Sequence, residues 1–478
     1  MKNVIVVNSD MNTPGGTYNV PANSILKFEG GSYIGGTING NNTIIIAPPY
    51  KIFNNVTLGG TWLVDQVYAD YFGDTGPSVD SSIAINKALA FSNLIGCRVI
   101  LLPIDYRIDN KIQILGGTKL EGTFARSPFG TYRGTNIISS INSSNPAMLI
   151  ETNATTGVDC YRFEISNINI DYAGTGTAIE IKTNTNDVPR NGSISNMSMY
   201  CPKGHGIVIN CGSYIRIENI HMAVAKGVKL TGNSLMEFIW MRQICIGSRT
   251  GFSAYKGNAI EINKGNNIYL TEIDTNDLQA GIVLENSAAN LFNVFVTRFN
   301  TVRCVEPIKM NANNWITRIK FSEVTISSDT TTSNAILFNR SGIYGFTECT
   351  FDNVNIDYLP AGAYAINDSP SCLSHCSFTN IRTGGSKIQL GGNNLFTQAE
   401  KKQADVFTGN TNITQQISIS SSSPFSRIPI VIVNTNQTIP FKVDTFNNQG
   451  GNCYIEVTFA SQPLSNVVFT YYLTGYFK

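Results

Sequence analysis

Residues 165–168 read Ile165-Ser166-Asn167-Ile168, and this order of residue types recurs along the chain. It consists of an apolar residue, a polar residue, a turn-type polar residue and a second apolar residue. The further copies are Ile194-Ser195-Asn196-Met197, Ile217-Glu218-Asn219-Ile220, Met241-Arg242-Gln243-Ile244, Leu270-Thr271-Glu272-Ile273, Val296-Thr297-Arg298-Phe299, Phe321-Ser322-Glu323-Val324, Phe351-Asp352-Asn353-Val354 and Phe378-Thr379-Asn380-Ile381. The turn-type residues of successive copies lie 23 to 30 positions apart. A repeat at this spacing predicts a solenoid with one copy in each coil.

The alternation around the turn residue indicates the strand geometry of each coil. Side chains alternate between the two faces of a strand, and the turn residue absorbs a change of direction. The apolar residues on both sides of it, such as Ile168, Met197 and Ile220, should therefore point inward. Asn suits the turn because it tolerates a left-handed backbone and bonds locally. A leucine-rich repeat would need a Leu-rich signature, which this chain does not have. We predict an all-β fold, a right-handed parallel β-helix with three strands in each coil.

The sequence on either side of the repeat predicts three further parts. Leu26-Lys27-Phe28-Glu29-Gly30-Gly31, Thr37-Ile38-Asn39-Gly40 and Thr57-Leu58-Gly59-Gly60-Thr61-Trp62 indicate shorter coils with glycine corners. One helix should follow, with Asp80 as N-cap, an apolar face of Ile85, Ala88 and Leu89, and Gly96 at its end. After residue 404, apolar runs separated by turn residues predict a small antiparallel β-sandwich. The expected domains are short coils at 1–66, the main β-helix at 67–395, a linker at 396–404 and the sandwich at 405–478.

Composition argues against several classes of protein. The 478 residues carry a formal net charge of +1 and only 14% charged residues, without a basic cluster, so nucleic acid is not an expected partner. No apolar run approaches the length of a membrane span, and the first residues do not resemble a signal peptide, so neither membrane insertion nor secretion is expected. The ten cysteines lack a CxxC pair and are expected to be mostly buried apolar residues.

One segment resembles the opening module of pectate-lyase-like β-helix proteins. It comprises Tyr71-Phe72-Gly73-Asp74, Asp80, 83–88, 99–103, Tyr106-Arg107-Ile108 and Leu120-Glu121-Gly122, with Ile104-Asp105 where that family usually has Pro-Gly. The family includes secreted polysaccharide lyases and hydrolases and the trimeric tailspikes of bacteriophages. The Gly-, Asn- and Thr-rich start resembles tail proteins of phages of gut bacteria, including the crAss-like group. The C-terminal sandwich is similar in its place to a tailspike's trimerising or receptor-contacting tip.

The resemblance implies a homotrimeric tailspike or tail fibre located in the virion tail. Its expected partners are its own chain, other phage tail proteins, and the capsule or lipopolysaccharide glycan of a bacterium. Three hypotheses follow: a glycan-binding component without chemistry, an active polysaccharide depolymerase (a lyase or hydrolase), and a bacterial glycan lyase. The first is favoured, because no paired carboxylates stand out on one ladder. No cofactor and no metal is expected, and Cys372, His375 and Cys376 lack a second ligand pair at zinc-like spacing.

The repeat also places candidate site residues on the outside of the coils. Trp240, Tyr269 and Phe295 each lie three residues before a turn and should form an aromatic stripe, with Arg216, Glu218 and Arg242 at its border. Such a stripe is either a sugar-stacking groove or the face that packs against sister chains in a trimer. We favour the trimer interface. Glu218 and Asp274 are the candidate catalytic pair, although two coils would separate them. Asp171, Asp357 and His221 are expected to be ordinary surface residues.

Overall fold

The computed structural model of the chain divides into two compact units, Met1–Ile260 and Glu261–Lys478, which are described separately. It describes residues 2–123, 134–152, 160–184, 187–232, 234–248, 256–286, 290–327, 332–340, 344–357, 359–368, 372–383, 387–389, 395–403, 414–419, 430–435, 441–447, 453–459 and 468–476. This division does not test the domain boundaries expected from the sequence, which stay predictions.

The first unit opens with short coils. Its first strands are β1 (Val4–Val7), β2 (Met11–Asn12), β3 (Thr17–Asn19), β4 (Ile25–Phe28), β5 (Tyr33–Ile34), β6 (Thr37–Ile46), β7 (Phe53–Asn54), β8 (Thr57–Trp62) and β9 (Gln66–Tyr68). They pair in parallel as β1-β4-β6, β2-β5-β7 and β3-β6-β8. Tight corners require a positive φ, which Gly35, Gly36 and Gly60 supply. These strands confirm the predicted short, glycine-cornered coils.

A 3₁₀ turn (Ala69–Phe72) and one α-helix, α1 (Ser82–Ile95), interrupt the coils. Ile85, Ala88 and Leu89 are fully buried, as predicted from their spacing. Gly96 ends the helix with φ 78°, and its N–H donates to the carbonyl oxygen of Ser92. The residue in the N-cap position is Ser81 and not Asp80, yet the Asp80 carboxylate accepts the backbone N–H of Ser82 at 3.0 Å. The predicted cap is thus offset by one residue, and its carboxylate still satisfies a free N–H at the helix start.

Three parallel ladders of strands form the rest of the first unit. The strands are β10 (Arg98–Ile100), β11 (Asp105–Ile108), β12 (Ile112–Ile114), β13 (Lys119–Glu121), β14 (Asn136–Ser139), β15 (Met148–Thr152), β16 (Glu164–Ser166), β17 (Asn169–Tyr172), β18 (Thr177–Thr183), β19 (Ser193–Ile209), β20 (Gly212–Leu230) and β21 (Met236–Gly247). The next strand, β22 (Asn258–Ile262), includes the last residues of the first unit and the first two of the second. The first ladder is β10-β13-β16, the second β11-β14-β17 and the third β12-β15-β18. The long strands β19 and β20 continue all three ladders, because they run through the turns. Three parallel strands per coil confirm the predicted parallel β-helix.

The turn residues predicted from the repeat all adopt the left-handed conformation. Their φ values lie between 52° and 61°, and the residues are Asn167, Asn196, Asn219, Gln243, Glu272, Arg298, Glu323, Asn353 and Asn380. The side chain of Asn219 donates to that of Asn196 at 2.8 Å along the stack. Ile168, Met197 and Ile220 are at most 1% exposed, as predicted. Burying an aliphatic side chain of this size contributes about 1.5–3 kcal/mol, so the regular repeat supplies the core.

The second unit continues with parallel strands of the same kind. They are β23 (Gly265–Asn276), β24 (Ala280–Asn286), β25 (Leu291–Val302), β26 (Glu306–Ala312), β27 (Ile316–Ser327), β28 (Asn334–Arg340), β29 (Phe346–Thr347), β30 (Thr350–Ile356), β31 (Tyr364–Asn367), β32 (Leu373–Ser374), β33 (Ser377–Arg382) and β34 (Lys387–Gln389). The pairs β23-β25-β27-β30-β33 and β24-β26-β28-β31 are all parallel. Buried Phe321, Phe351 and Phe378 stack with ring centroids 5.0 Å apart, because they occupy the same position in successive coils.

The C-terminal strands of the second unit pair antiparallel. They are β35 (Leu395–Gln403), β36 (Thr414–Ile419), β37 (Ile430–Thr435), β38 (Phe441–Asn447), β39 (Cys453–Phe459) and β40 (Val468–Tyr476). Two three-stranded sheets result, β35-β40-β37 and β36-β39-β38. This confirms antiparallel pairing for the predicted C-terminal part. Residues 396–404, expected as a linker, fall largely in β35, which also pairs in parallel with β33. The edge of the last coil thereby gains a strand partner.

The cysteines behave as apolar residues. Of the nine whose side chains are described, eight are buried and Cys245 is half-buried, and all nine are free thiols. Burial raises the pKa of the Cys97 thiol to about 11 and that of Cys211 to about 12. These thiols are therefore protonated at neutral pH and poor nucleophiles. Among the described residues, no helix has both the length and the apolar character that a membrane crossing requires.

Candidate functional site

A second row of left-handed residues lies five positions before the first. Its φ values lie between 52° and 59°, and its members are Arg162, Asn191, Tyr214, Phe238, Asn267, Asn293, Arg318, Glu348 and His375. Most are polar, as the conformation favours, but Tyr214 and Phe238 are large aromatic residues. A bulky residue with this backbone is uncommon, and such conformations cluster at functional sites. The two aromatic residues therefore mark the first candidate site.

Tyr214, Phe238 and Trp240 form a cluster of rings on the outside of the first ladder. The Tyr214 and Phe238 rings are stacked, with centroids 4.8 Å apart and planes 9° apart. Trp240 lies 6.1 Å from both rings. Tyr214 is 45% exposed, which is high for a tyrosine packed between other rings. We call Tyr214, Arg216, Phe238 and Trp240 the aromatic patch.

Arg216 completes the patch from the neighbouring coil. Arg216 and Trp240 are register partners on β20 and β21, and the guanidinium carbon lies 5.8 Å from the centre of the indole ring. A cation at this distance from an exposed ring contributes about 0.5–1 kcal/mol. The contact holds the guanidinium at the edge of the patch, where its N–H groups can donate to a ligand. Arg216 itself is exposed.

Glu218 and Arg242 lie two residues further along the same strands. They are register partners, and both are exposed. Arg216 and Glu218 therefore lie on the same face of the ladder as Trp240 and Arg242, because alternate residues of a strand share one face. In chemical terms, the aromatic patch together with Glu218 and Arg242 offers apolar ring faces, two guanidinium groups and one carboxylate on a single surface. Such a surface can stack on the apolar face of a sugar and hydrogen-bond to its hydroxyl or carboxylate groups.

The remaining predicted site residues belong to the second unit. Tyr269 and Phe295 stack with centroids 5.2 Å apart and planes 11° apart, as register partners on β23 and β25. Asp274 is exposed on β23. Glu272, in the turn beside it, forms an ion pair with Arg298 at 2.5 Å. Trp240 and Glu218 lie in the first unit, so the continuous stripe and the Glu218–Asp274 pair remain predictions.

The cysteines and histidine near residue 375 do not converge. Cys372 and Cys376 are buried, whereas His375 is exposed in a left-handed turn and its Nδ1 lies 2.9 Å from the Ser374 hydroxyl. The Cys372 thiol donates to the carboxylate of Asp368 at 3.1 Å. Within the described ranges, no three His, Cys, Asp or Glu side chains come together as metal ligands.

Tyr214 and Phe238 are the site residues that the repeat did not indicate. The repeat of a turn residue between apolar neighbours predicts only the first left-handed row. The signal of the second row was present in the sequence as Asn191, Asn267 and Asn293 at the same offset of five residues. An aromatic residue in such a row looks like an ordinary strand residue until the backbone is known.

Comparison with known proteins gives similarities of fold. No protein-family model matches the sequence, and no curated protein matches it. Among solved structures, the Dettilon tailspike protein is similar with a TM-score of 0.46 and 11% identity, over 86% of this chain and 94% of that one. Polygalacturonase from Erwinia carotovora ssp. carotovora gives 0.45 and 12%, over 66% of this chain and 94% of that one.

A third similar structure is a tailspike of the Acinetobacter baumannii bacteriophage Fri1, described as a capsular polysaccharide depolymerase. Its TM-score is 0.38 with 11% identity, and the similarity covers 87% of each chain. The structural neighbours of this chain are thus phage tailspikes and polygalacturonase-like β-helix proteins. The assignment of the chain as a parallel β-helix protein rests on the pairing of its own strands.

Proposed function

We propose that this protein is a component of a phage tail spike or fibre that binds the surface glycan of a bacterium through the aromatic patch. The observation that carries the proposal is the pair of stacked rings, Tyr214 and Phe238, held in a left-handed backbone. A left-handed conformation costs about 1–2 kcal/mol for an ordinary residue. Asn, which occupies the same row in other coils, would avoid most of that cost. We infer that the rings at these two positions serve a ligand, because an aromatic side chain gains nothing from the left-handed conformation itself.

The chemistry of the patch fits a carbohydrate. Sugar rings present apolar C–H faces, which pack against aromatic rings, while their hydroxyl groups need hydrogen-bond partners. Arg216 and Arg242 supply donors, and with Glu218 the local formal charge is +1. A net positive surface favours a glycan that carries carboxylate groups, because guanidinium groups bind carboxylates through paired N–H donors.

The assembly we propose is a homotrimer in the virion tail, in contact with other tail proteins. The resemblance of residues 71–122 to the opening module of pectate-lyase-like β-helices supports this class of protein. In solution, light scattering should then give three times the chain mass of 52.1 kDa. A single species with the mass of one chain at micromolar concentration would contradict the trimer.

The decisive experiment is Trp240→Ala, with Trp315→Ala as the matched control. Trp315 is an exposed tryptophan of the second unit that packs edge-on against Tyr344. We expect Trp240→Ala to weaken binding to host capsule or lipopolysaccharide at least tenfold, since the removed indole would supply a stacking contact of about 1.4 kcal/mol or more. Trp315→Ala should bind like the parent protein, and both variants should keep the parent's mass. A Trp240→Ala variant that binds normally but dissociates would instead make the patch a subunit interface.

Glycan cleavage is the second candidate function, and the exposed carboxylate of Glu218 beside the patch is the observation that favours it. A carboxylate at the edge of a sugar-binding surface can act as a general acid or base. Incubation with host capsule, followed by assay of reducing ends and of absorbance from unsaturated uronates, tests this function. Activity that Glu218→Gln abolishes without loss of binding would establish it. Binding without product formation would leave the protein as an adhesin.

A further inference from the structure

One inward position of the second unit changes from aliphatic residues to cysteine in two successive coils. The position lies four residues before the left-handed turn residue, and its side chains face the core. Successive coils place Ile268, Val294, Ile319, Cys349 and Cys376 there, and each is at most 2% exposed. In a parallel β-helix, equivalent positions of neighbouring coils stack directly on one another. The repeat therefore puts two thiols next to each other in the core.

The backbone brings the two cysteines into register. They immediately precede Thr350 and Ser377, which are register partners on β30 and β33. The Ser377 N–H donates to the carbonyl oxygen of Cys349 at 2.8 Å, so the pairing extends to the cysteines. The residue before each cysteine is left-handed, with φ of 57° and 53°, so both coils turn alike at this point. Neighbouring strands lie about 4.7–4.9 Å apart, within the Cα separation of about 4.4–6.8 Å that a disulfide requires.

The two sulfur atoms lie against the same stretch of backbone. Sγ of Cys349 lies 3.6 Å from the carbonyl oxygen of Thr347, and Sγ of Cys376 lies 3.8 Å from that of Phe346. The Cys349 thiol also hydrogen-bonds to the sulfur of Cys376. This hydrogen bond lowers the pKa of the Cys376 thiol, whereas burial raises the pKa of the Cys349 thiol. Cys376 is therefore the thiol that ionises first, and Cys349 stays protonated beside it.

We propose that Cys349 and Cys376 form a disulfide when the folded protein meets a peroxide, and that this bond joins two coils covalently. The Cys376 thiolate attacks one oxygen of hydrogen peroxide and breaks the O–O bond. A sulfenic acid then remains on Cys376, and the released hydroxide takes up the proton that the thiol gave up. The Cys349 sulfur displaces the hydroxyl group of the sulfenic acid as a second water, and the S–S bond forms. Overall, two thiols lose two electrons and two protons, and one hydrogen peroxide is reduced to two molecules of water.

The neighbouring Cys372 is directed elsewhere. Its thiol donates to the carboxylate of Asp368 at 3.1 Å, and its backbone N–H donates to the same oxygen at 2.8 Å. The disulfide therefore joins the coil of β30 to that of β33, the strand on which the C-terminal β35 pairs. Thiols stay reduced in a cytosol and are oxidised outside a cell. The cross-link would thus strengthen these coils after the protein leaves the cell in which it is made.

Peptide mapping of the full-length protein tests the pairing. The folded protein is treated with hydrogen peroxide, and the remaining thiols are alkylated after denaturation. Trypsin and a protease that cuts before aspartate then separate residues 341–351 from residues 368–382. Mass spectrometry should find these two peptides linked through Cys349 and Cys376, with Cys372 alkylated. The oxidised protein should also melt about 3 °C higher than the same sample after reduction with dithiothreitol, because the bond restricts the unfolded chain over the 27 positions from 349 to 376.

Single alanine variants identify the cysteines involved. Cys349→Ala and Cys376→Ala should lose the linked peptides and the shift in melting temperature that dithiothreitol reverses. The matched control Cys372→Ala should keep both. If a variant of either paired cysteine does not fold, the mapping of the parent protein and of Cys372→Ala still decides the question. Peroxide-treated parent protein that lacks the link between Cys349 and Cys376, whether their thiols are alkylated or joined to Cys372 instead, would overturn the proposal.

Discussion

Replacement of a phenylalanine by asparagine should have different costs at two sites that look alike in sequence. Phe238 and Phe295 are both half-buried strand residues, and each stacks on a tyrosine of an adjacent strand, at 4.8 Å and 5.2 Å. Their backbones differ, because Phe238 has a φ of 53° and Phe295 does not have a positive φ. The pair Phe238→Asn and Phe295→Asn therefore tests the cost of the left-handed conformation.

The magnitudes follow from the two environments. Phe295→Asn loses one ring–ring contact of about 0.5–1.5 kcal/mol, whereas Phe238→Asn loses the close contact with Tyr214 and the wider one with Trp240. Both variants also lose some apolar burial. Only Phe238→Asn recovers part of the backbone cost of about 1–2 kcal/mol, since Asn tolerates the left-handed region. In addition, Asn is disfavoured in the extended strand at Phe295. The second ring contact of Phe238 offsets part of this difference, so Phe295→Asn should lower the free energy of unfolding by about 1 kcal/mol more than Phe238→Asn does.

Urea denaturation followed by circular dichroism measures both free energies, and the parent protein gives the reference. Glycan binding supplies the second readout, because Phe238→Asn should bind weakly although its stability falls less than that of Phe295→Asn. Equal destabilisation of the two variants, by 2 kcal/mol or more, would refute the assigned backbone cost. A Phe238→Asn variant that binds glycan normally would show that the strained ring does not serve the ligand.

Three further changes test other parts of the fold. Ile220→Asp should lower the free energy of unfolding by more than about 4 kcal/mol, because it buries an unpaired charge in the core; a soluble variant with the parent's urea midpoint would contradict the inward register. Gly96→Ala should cost about 1 kcal/mol from its left-handed backbone alone, since no atom lies within 4 Å of the added Cβ, and thermal unfolding measures it. Burial acts to raise the pKa of Asp80, but hydrogen bonds from the Asp109 and Ser82 N–H groups and from Asn110 outweigh it and lower the pKa. Its stabilisation is therefore present above the unfolded pKa and lost as pH falls through the folded value, so the stability deficit of Asp80→Asn at pH 7 should shrink below about pH 4.

The repeat determined most of the fold because each coil uses local rules. Apolar residues before and after a turn residue, such as Ile217 and Ile220 around Asn219, can face the core only if the turn is left-handed. The core positions and the turn positions of each coil could therefore be predicted from residue type alone. The helix end at Gly96 was predictable for the same reason, because the left-handed conformation that ends a helix favours glycine. The N-cap is Ser81 and not the predicted Asp80, because serine and aspartate are both favoured at this position.

The site could be predicted only in part from residue types along the chain. Trp240, Arg216, Glu218 and Arg242 could be placed on one face because strand alternation and coil spacing are regular. The left-handed backbone of Phe238 follows from its offset of five residues from Gln243, which Asn residues occupy in other coils, but the residue type at 238 does not reveal it. Asp171 looked like an ordinary surface residue, and only the tertiary structure brought its carboxylate to the amide of Asn136, 35 residues away. Sequence periodicity determines which residues face outward, whereas contacts between loops and coils of unequal length decide which outward residues meet.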